Sequence, residues 1–356
     1  MAAYATTDLL LDSLAPSTPL RPILTRLNAD NSWMMSLPRP GGPDASGKAY
    51  YHVLQDLWLG GSLTEWPYTA FLFKIVRTQA GQFDDVADIE RLVASLEAAA
   101  AGGGAERAAD ATTTTKQRQG VDAILVSHTN IDHCHRATLE RFPRETPVLV
   151  VADAAALVRG WGHFETVVEL PDLEPAAASW PVGAGAGAGA GVGVEAGSDG
   201  TRSVAAVPAW LRMFRLPDRD SLYPHIHHGI VTSWGGEALL YAPHGVDAHK
   251  AAHAARVAPE GTAWLALLHG LDELGTGTAT GRGVRGGLAL AEATGVRYWA
   301  RTHDGGEAYS GVISWLLRFR GWTFEEGVAE MERRGGKMDA VPAVFDIENG
   351  GALVLV

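Results

Sequence analysis

The chain is short of cysteine, of positive charge and of long apolar runs. Cys134 is its only cysteine, so an internal disulfide is excluded and a reducing compartment, the cytoplasm, is expected. Lysine and arginine number 29 against 41 aspartates and glutamates, a net charge of −12. No dense Lys/Arg cluster offsets that balance, which argues against nucleic acid as a partner, because neutralising phosphates requires a basic patch. No uninterrupted apolar run approaches the roughly 18 residues of a bilayer span, and Met1 to Leu20 has neither a basic start nor a long apolar stretch, so neither membrane spanning nor secretion is expected. Gly60-Gly61 lacks the following Lys-Ser/Thr pair of a phosphate loop.

What remains is enough for an enzyme-sized core: 356 residues, 46% of them hydrophobic, suit one large α/β domain or two small ones. Residues 1–48 are rich in Pro, Ser, Thr and Gly, with Pro38-Arg39-Pro40-Gly41-Gly42-Pro43, and predict an extended N-terminal arm. Residues 49–356 then form a single domain with flexible insertions near 98–119 and near 183–200, where Gly-Ala alternation can neither pack a core nor hold a helix. Strands are predicted at Leu54–Leu59, Ala70–Val76, Ile124–Val126, Pro147–Val151, Ile230–Trp234, Ala238–Tyr241, Trp264–Leu268 and Ala352–Val356. Helices are expected over Asp85–Leu96, Arg136–Phe142, Asp247–Val257, near Leu288–Ala293, and over Ser310–Arg320. Trp58, Trp66, Tyr68 and Trp161 lie in or beside predicted loops, where they would either line an apolar pocket for an organic substrate or pack in the core.

The densest chemistry follows the run Ile124-Leu125-Val126. There the chain reads Ser127-His128-Thr129-Asn130-Ile131-Asp132-His133-Cys134-His135. A strand fixes the start of such a loop while its backbone remains free to curl around an ion. Cys134 is either a redox-sensitive thiol beside the ligands or a small buried residue.

His128-Thr129-Asn130-Ile131-Asp132-His133 resembles the His-x-His-x-Asp-His loop of the metallo-β-lactamase fold superfamily, with Asn130 in place of the second histidine. The resemblance implies a four-layer αββα sandwich. It also implies a third histidine just before a β-hairpin, a bridging Asp after that hairpin, and a last histidine at a later strand end. His225 is the favoured third ligand, with His227 and then His228 behind it. His244 stands where the bridging Asp would be, and His303 follows the strand Val296 to Thr302. The candidate metal ligands are therefore His128, Asn130, Asp132, His133, His225, His244 and His303. An Asn oxygen is a weaker zinc donor than imidazole, and His244 removes a charge that two dications need between them, so one zinc on Asp132, His133 and His303 is favoured over two, with iron or manganese as alternatives.

The activity this implies is hydrolysis of an ester, thioester, lactone or amide in a small organic molecule. Asp132 would orient the water and His244 donate the leaving-group proton. The alternatives are a non-hydrolytic enzyme at one metal (isomerase, lyase or oxygenase) and a scaffold that kept the fold without the chemistry.

Overall fold

The computed structural model describes residues 4–6, 19–61, 63, 71, 74–102, 120–183, 207–275, 279–304, 307–338 and 340–356. In chain order the first half contributes β1 (Tyr4–Thr6), β2 (Ile23–Arg26), β3 (Trp33–Pro38), β4 (Tyr50–Gln55), β5 (Lys74–Arg77), α1 (Val86–Ala100), β6 (Ala123–Val126), α2 (Arg136–Leu139), β7 (Val148–Val150), α3 (Ala152–Gly160) and β8 (Val167–Glu169). The second half contributes β9 (Leu211–Pro217), β10 (His228–Trp234), β11 (Glu237–Tyr241), α4 (Ala248–Arg256), β12 (Ala263–His269), β13 (Glu273–Gly275), β14 (Ala279–Arg282), α5 (Gly283–Thr294), β15 (Tyr298–Arg301), β16 (Glu307–Ser310), β17 (Arg318–Arg320), α6 (Phe324–Arg333), β18 (Ala343–Phe345) and β19 (Gly351–Val354).

Two large sheets dominate. The first has the order β1-β19-β2-β3-β4-β6-β7-β8, and the second β18-β15-β12-β11-β10-β9. Side chains of successive strand residues point to opposite faces, and sheet two uses both. Ile230, Leu239 and Leu268 enter a core shared with sheet one, whereas Val231, Leu240 and Leu267 enter a second core with Ala251 of α4 and Val284, Leu288 and Ala291 of α5. Helices α1 and α3 add Ile89, Leu92, Val93, Leu96, Ala154, Ala155 and Val158 to the first core. The result is the α/β architecture of helices, sheet, sheet and helices expected from the resemblance.

Helix α1 illustrates how sequence sets an element. Asp85 caps its first turn, reciprocated by Asp88, and the apolar spacing of Ile89, Leu92, Val93 and Leu96 makes one buried stripe. Each fully buried aliphatic side chain contributes about 1.5–3 kcal/mol.

Several expectations are corrected. Of residues 1–48, expected as an extended arm, the described stretch 19–48 is not one: β2 and β3 lie inside sheet one between β19 and β4, and Ile23, Leu24, Leu27, Trp33, Met34, Met35 and Leu37 have no exposed surface. Their two apolar runs are short, and the Pro- and Gly-rich composition around them hid them. Helix α1 continues to Ala100, so the expected insertion begins later than residue 98. Residues 103–119 and 184–206, with Trp66 and Tyr68, lie outside the described residues. Ser310–Arg320 is not one helix: Gly311, with φ 94°, separates β16 from a short 3-10 turn, and β17 then pairs with β13. The helix lies further on, at α6, where Thr323 and Glu326 form a capping box. Trp58 is fully buried beneath the Arg77 guanidinium, so it packs rather than lining a mouth.

Candidate metal centre

The site sits at one edge of the two facing sheets. β4 and β6 are parallel, and their carboxyl ends deliver Asp56 and the loop from Ser127 to His133. In sheet two β11, β12 and β15 are parallel, so His244 and His303 leave by the same edge. Antiparallel pairing brings two strand beginnings there as well: His228 opens β10, which pairs with β11, and the turn 27–32 leads into β3, which pairs with β4.

At the centre, His133 Nε2 lies 3.1 Å from His244 Nε2 and 3.1 Å from Asp132 Oδ2. His303 Nε2 is 3.7 Å from the same Asp132 oxygen. A tetrahedral zinc with ligands about 2.0–2.1 Å away sets neighbouring ligand atoms roughly 3.3–3.4 Å apart. These separations bracket that edge, and imidazoles with one carboxylate are a donor set zinc accepts, so the residues present fit such an ion.

The rings are held from behind. Asp56 accepts His133 Nδ1–H at 2.7 Å, the Ser127 amide at 2.7 Å and the Tyr241 hydroxyl at 2.8 Å, as well as the Ser127 hydroxyl. Asp30 Oδ1 accepts His303 Nδ1–H at 2.7 Å. Both contacts turn Nε2 toward the centre, as carboxylates behind metal-binding histidines do. Asp56 and His303 are also the non-glycine residues with left-handed backbone, φ 51° and 59°, among those described. That conformation costs about 1–2 kcal/mol each and persists only where the surroundings dictate it. At Asp56 it ends β4 before the predicted Leu59.

The electrostatics divide the histidines. Burial pulls His133 down, but Asp132 and Asp56 outweigh it and hold the imidazole well above its usual range. Burial likewise opposes, and Asp30 more than restores, the proton on His303, which reaches about 9. Burial would raise Asp132, yet His133 and His303 bring it down to about 2. His244 and His128 are driven well below the ordinary value by burial and by neighbouring imidazoles. Cys134 is buried, and burial pushes its thiol up to about 12.

Of the residues named from sequence, Asp132, His133, His244 and His303 converge. His128 stands beside them but is engaged: Nδ1 meets Ser127 Oγ at 2.6 Å and Nε2 donates to the Ile226 carbonyl at 2.9 Å. His225 does not join the group. It is exposed, because residues 224–227 form a turn and β10 begins only at His228, which voids the strand parity that favoured His225. His228 is the buried one. Its ring stacks on His128 with centroids 4.0 Å apart, Nε2 donates to the Ser127 carbonyl at 2.7 Å, and Nδ1 is buried without a partner. His227 is tied to Ser221 and the Thr280 carbonyl. Asn130 is half-buried, and its carbonyl accepts the His133 and Cys134 amides, closing the loop.

Sequence reasoning missed Asp30, Asn31, Asp56 and Glu307. Asn31 Nδ2 donates to the Asp132 carbonyl at 3.2 Å. Asp30, Asp132, His303 and Glu307 each place a donor atom within 4.8 Å of the others. The signal available was Asn28-Ala29-Asp30-Asn31-Ser32, a polar turn between two apolar runs.

No family model matches this chain, and no curated protein matches it. Among solved structures it is similar to a metallo hydrolase from the hyperthermophilic archaeon Ignicoccus hospitalis, with 11% identity, 93% of this chain and 97% of that one covered, and a TM-score of 0.46. It is similar to CmlA, a diiron beta-hydroxylase from Streptomyces venezuelae, with 15% identity, 95% and 55% covered, and a TM-score of 0.48. It is also similar to the metallo-beta-lactamase fold protein YhfI from Bacillus subtilis, with 9% identity, 93% and 98% covered, and a TM-score of 0.44. The sandwich of two facing sheets, the His-Thr-Asn-Ile-Asp-His loop leaving β6, the histidine opening the β10–β11 hairpin, His244 at its end and His303 after β15 are the features in which this chain resembles the metallo-β-lactamase fold superfamily.

Proposed function

We propose that the chain is a metal-dependent hydrolase of an ester, thioester, lactone or amide bond in a small organic molecule, with zinc held by Asp132, His133, His244 and His303. The observation that carries this reading is the convergence, from three loops at one sheet edge, of His133, His244 and His303, with donor atoms within 4.8 Å of one another, and of Asp132 Oδ2, 3.1 Å from His133 Nε2 and 3.7 Å from His303 Nε2. Bound there, the ion would lower the pKa of a water toward about 7 and polarise the scissile carbonyl. Asp56 and Asp30 keep the ligand nitrogens of His133 and His303 facing inward. His244 was assigned the leaving-group proton on sequence grounds. Its Nε2 faces His133 Nε2 within the ligand cluster, and its depressed pKa keeps it neutral, so ligation is the role its surroundings favour.

Elemental analysis of the purified chain, with and without chelator, tests the reading alongside a panel of aryl esters, thioesters, lactones and anilides. Zinc retention and hydrolysis that is lost on chelation and in His133→Ala are expected. A zinc-supplemented protein that retains no divalent ion would sink it. Retention without hydrolysis of any panel member would favour the non-hydrolytic alternatives.

A further inference from the structure

The zinc set leaves two carboxylates at its border, each with one buried oxygen that has no partner. Asp30, in the turn between β2 and β3, has no exposed surface; its Oδ1 is on His303, and its Oδ2 is buried with no partner. Glu307 opens β16, held by pairing with β5 opposite Arg77. Its Oε2 accepts the Tyr309 hydroxyl, and its Oε1 is buried with no partner. Asp30, Glu307, the Asp132 carboxylate and the His303 imidazole have donor atoms within 4.8 Å of one another. Among the described residues, Asp30 and Asp132 form ion pairs only with histidines, and Glu307 with none. The nearby Arg26 guanidinium is turned to the carbonyls of Ala29 and Ile347.

Buried carboxylate oxygens without donors are costly, and several at this spacing repel one another. A cation coordinated between them removes both costs. Three carboxylates and one imidazole are also a harder donor set than the neighbouring imidazoles, and suit manganese-like ions with oxygen-rich coordination better than zinc.

We propose that Asp30, Asp132, His303 and Glu307 form a second site for a hard divalent cation, next to the zinc set and sharing Asp132 with it. This rests on the zinc reading above. Asp132 has two oxygens and can serve both ions, but His303 can serve only one. With both sites filled, zinc keeps His133, His244 and one Asp132 oxygen, three protein ligands and an open position, which is the arrangement of catalytic rather than structural zinc. The carboxylates from β16 and the β2–β3 turn thus supply the negative charge that His244 removes from the other side. Neither Asp30 nor Glu307 belongs to the motif positions through which the sequence resembles the metallo-β-lactamase fold superfamily.

The test is titration of the zinc-loaded protein with Mn²⁺, followed by the electron paramagnetic resonance signal of free Mn²⁺, with zinc content measured at the end. Wild type should take up one Mn²⁺ without losing zinc. Glu307→Gln and Asp30→Asn should each bind Mn²⁺ at least about tenfold more weakly, Glu307→Asp should recover part of the loss, and Glu307→Gln should keep its zinc, which also reports that it is folded. No Mn²⁺ uptake by zinc-loaded wild type overturns the proposal, whatever the variants do. So does uptake only by expelling zinc, or wild-type affinity in Glu307→Gln. If zinc is never retained, the hydrolase reading fails by itself, and Mn²⁺ titration of the zinc-free wild type and Glu307→Gln still decides this one.

Discussion

The two sides of the ligand cluster are finished differently. On the imidazole side, ring nitrogens are held by hydrogen bonds: His133 Nδ1 by Asp56, His228 Nε2 by the Ser127 carbonyl, and both nitrogens of His128 by Ser127 and Ile226. On the carboxylate side, Asp30 and Glu307 each keep one buried oxygen with no partner. An imidazole is made a ligand by fixing its far nitrogen, since that selects the tautomer and aims the ring. A carboxylate needs no tautomer, and what marks it is an oxygen left free. Asp132 stands between the two sides and belongs to both, whereas His303 can ligate on only one of them at a time.

Substitution at the shared residue should break both sides at once. Asp132→Ala is expected to weaken zinc and Mn²⁺ by more than about 100-fold, beyond the range typical of an outer contact, and elemental analysis after gel filtration would read this directly. Wild-type metal content in that variant would remove Asp132 from the centre.

Asp56→Asn should damage the imidazole side alone. It weakens the acceptor for His133 Nδ1, with an expected loss of about 10–100-fold in zinc affinity by chelator competition. It also mismatches the donors of Ser127 and Tyr241, costing about 1–3 kcal/mol in denaturant unfolding. Mn²⁺ uptake should be nearly unchanged, and an equal loss of both ions would erase the distinction between the sides.

A smaller effect follows from the protons that zinc must displace. His133 and His303 are raised above the ordinary histidine value, His303 to about 9. Protonated imidazoles cannot ligate, so zinc affinity should climb as pH rises from 7 and level off near 9, with proton release on binding. Calorimetry in buffers of different ionisation enthalpy measures it. The sign for the metal-free fold is opposite: stability from these raised groups is full below their unfolded value and fades as pH passes through about 9.

The smallest contrast separates two neighbouring histidines. His225→Ala, at an exposed turn, should alter stability by no more than about 0.5 kcal/mol and leave metal uptake intact. His228→Ala removes the ring stacked on His128 and should cost about 1–3 kcal/mol. Reversal of that order would reinstate His225.

Much of this was legible in sequence wherever the pattern is local. The apolar run before Ser127 and the polar loop after it are contiguous, as are the hairpin with its Gly235-Gly236 turn and the capping pair Asp85 and Asp88. Asp132, His133, His244 and His303 each stand directly beyond a strand that its own residues announce. His225 misled because alternation was extended backward past the residue where β10 begins, and a strand's first residue is set by its partner, here Pro217 opposite His228. Residues 23–38 misled because two strands of four and six residues are too short for periodicity to outweigh the composition around them.

The sequence by itself determined the class of fold, the strand exits where the candidate ligands gather, and the imidazole half of that cluster, because strand, turn and polar loop are encoded within a few residues of one another. Only the tertiary structure decided the other half. Asp30 meets His303 across 273 residues of chain, and Glu307 reaches the centre through the pairing of β16 with β5. No local period records such a meeting: it exists only once β2 and β3 are buried inside sheet one, and their turn is carried to the edge where sheet two delivers its histidines.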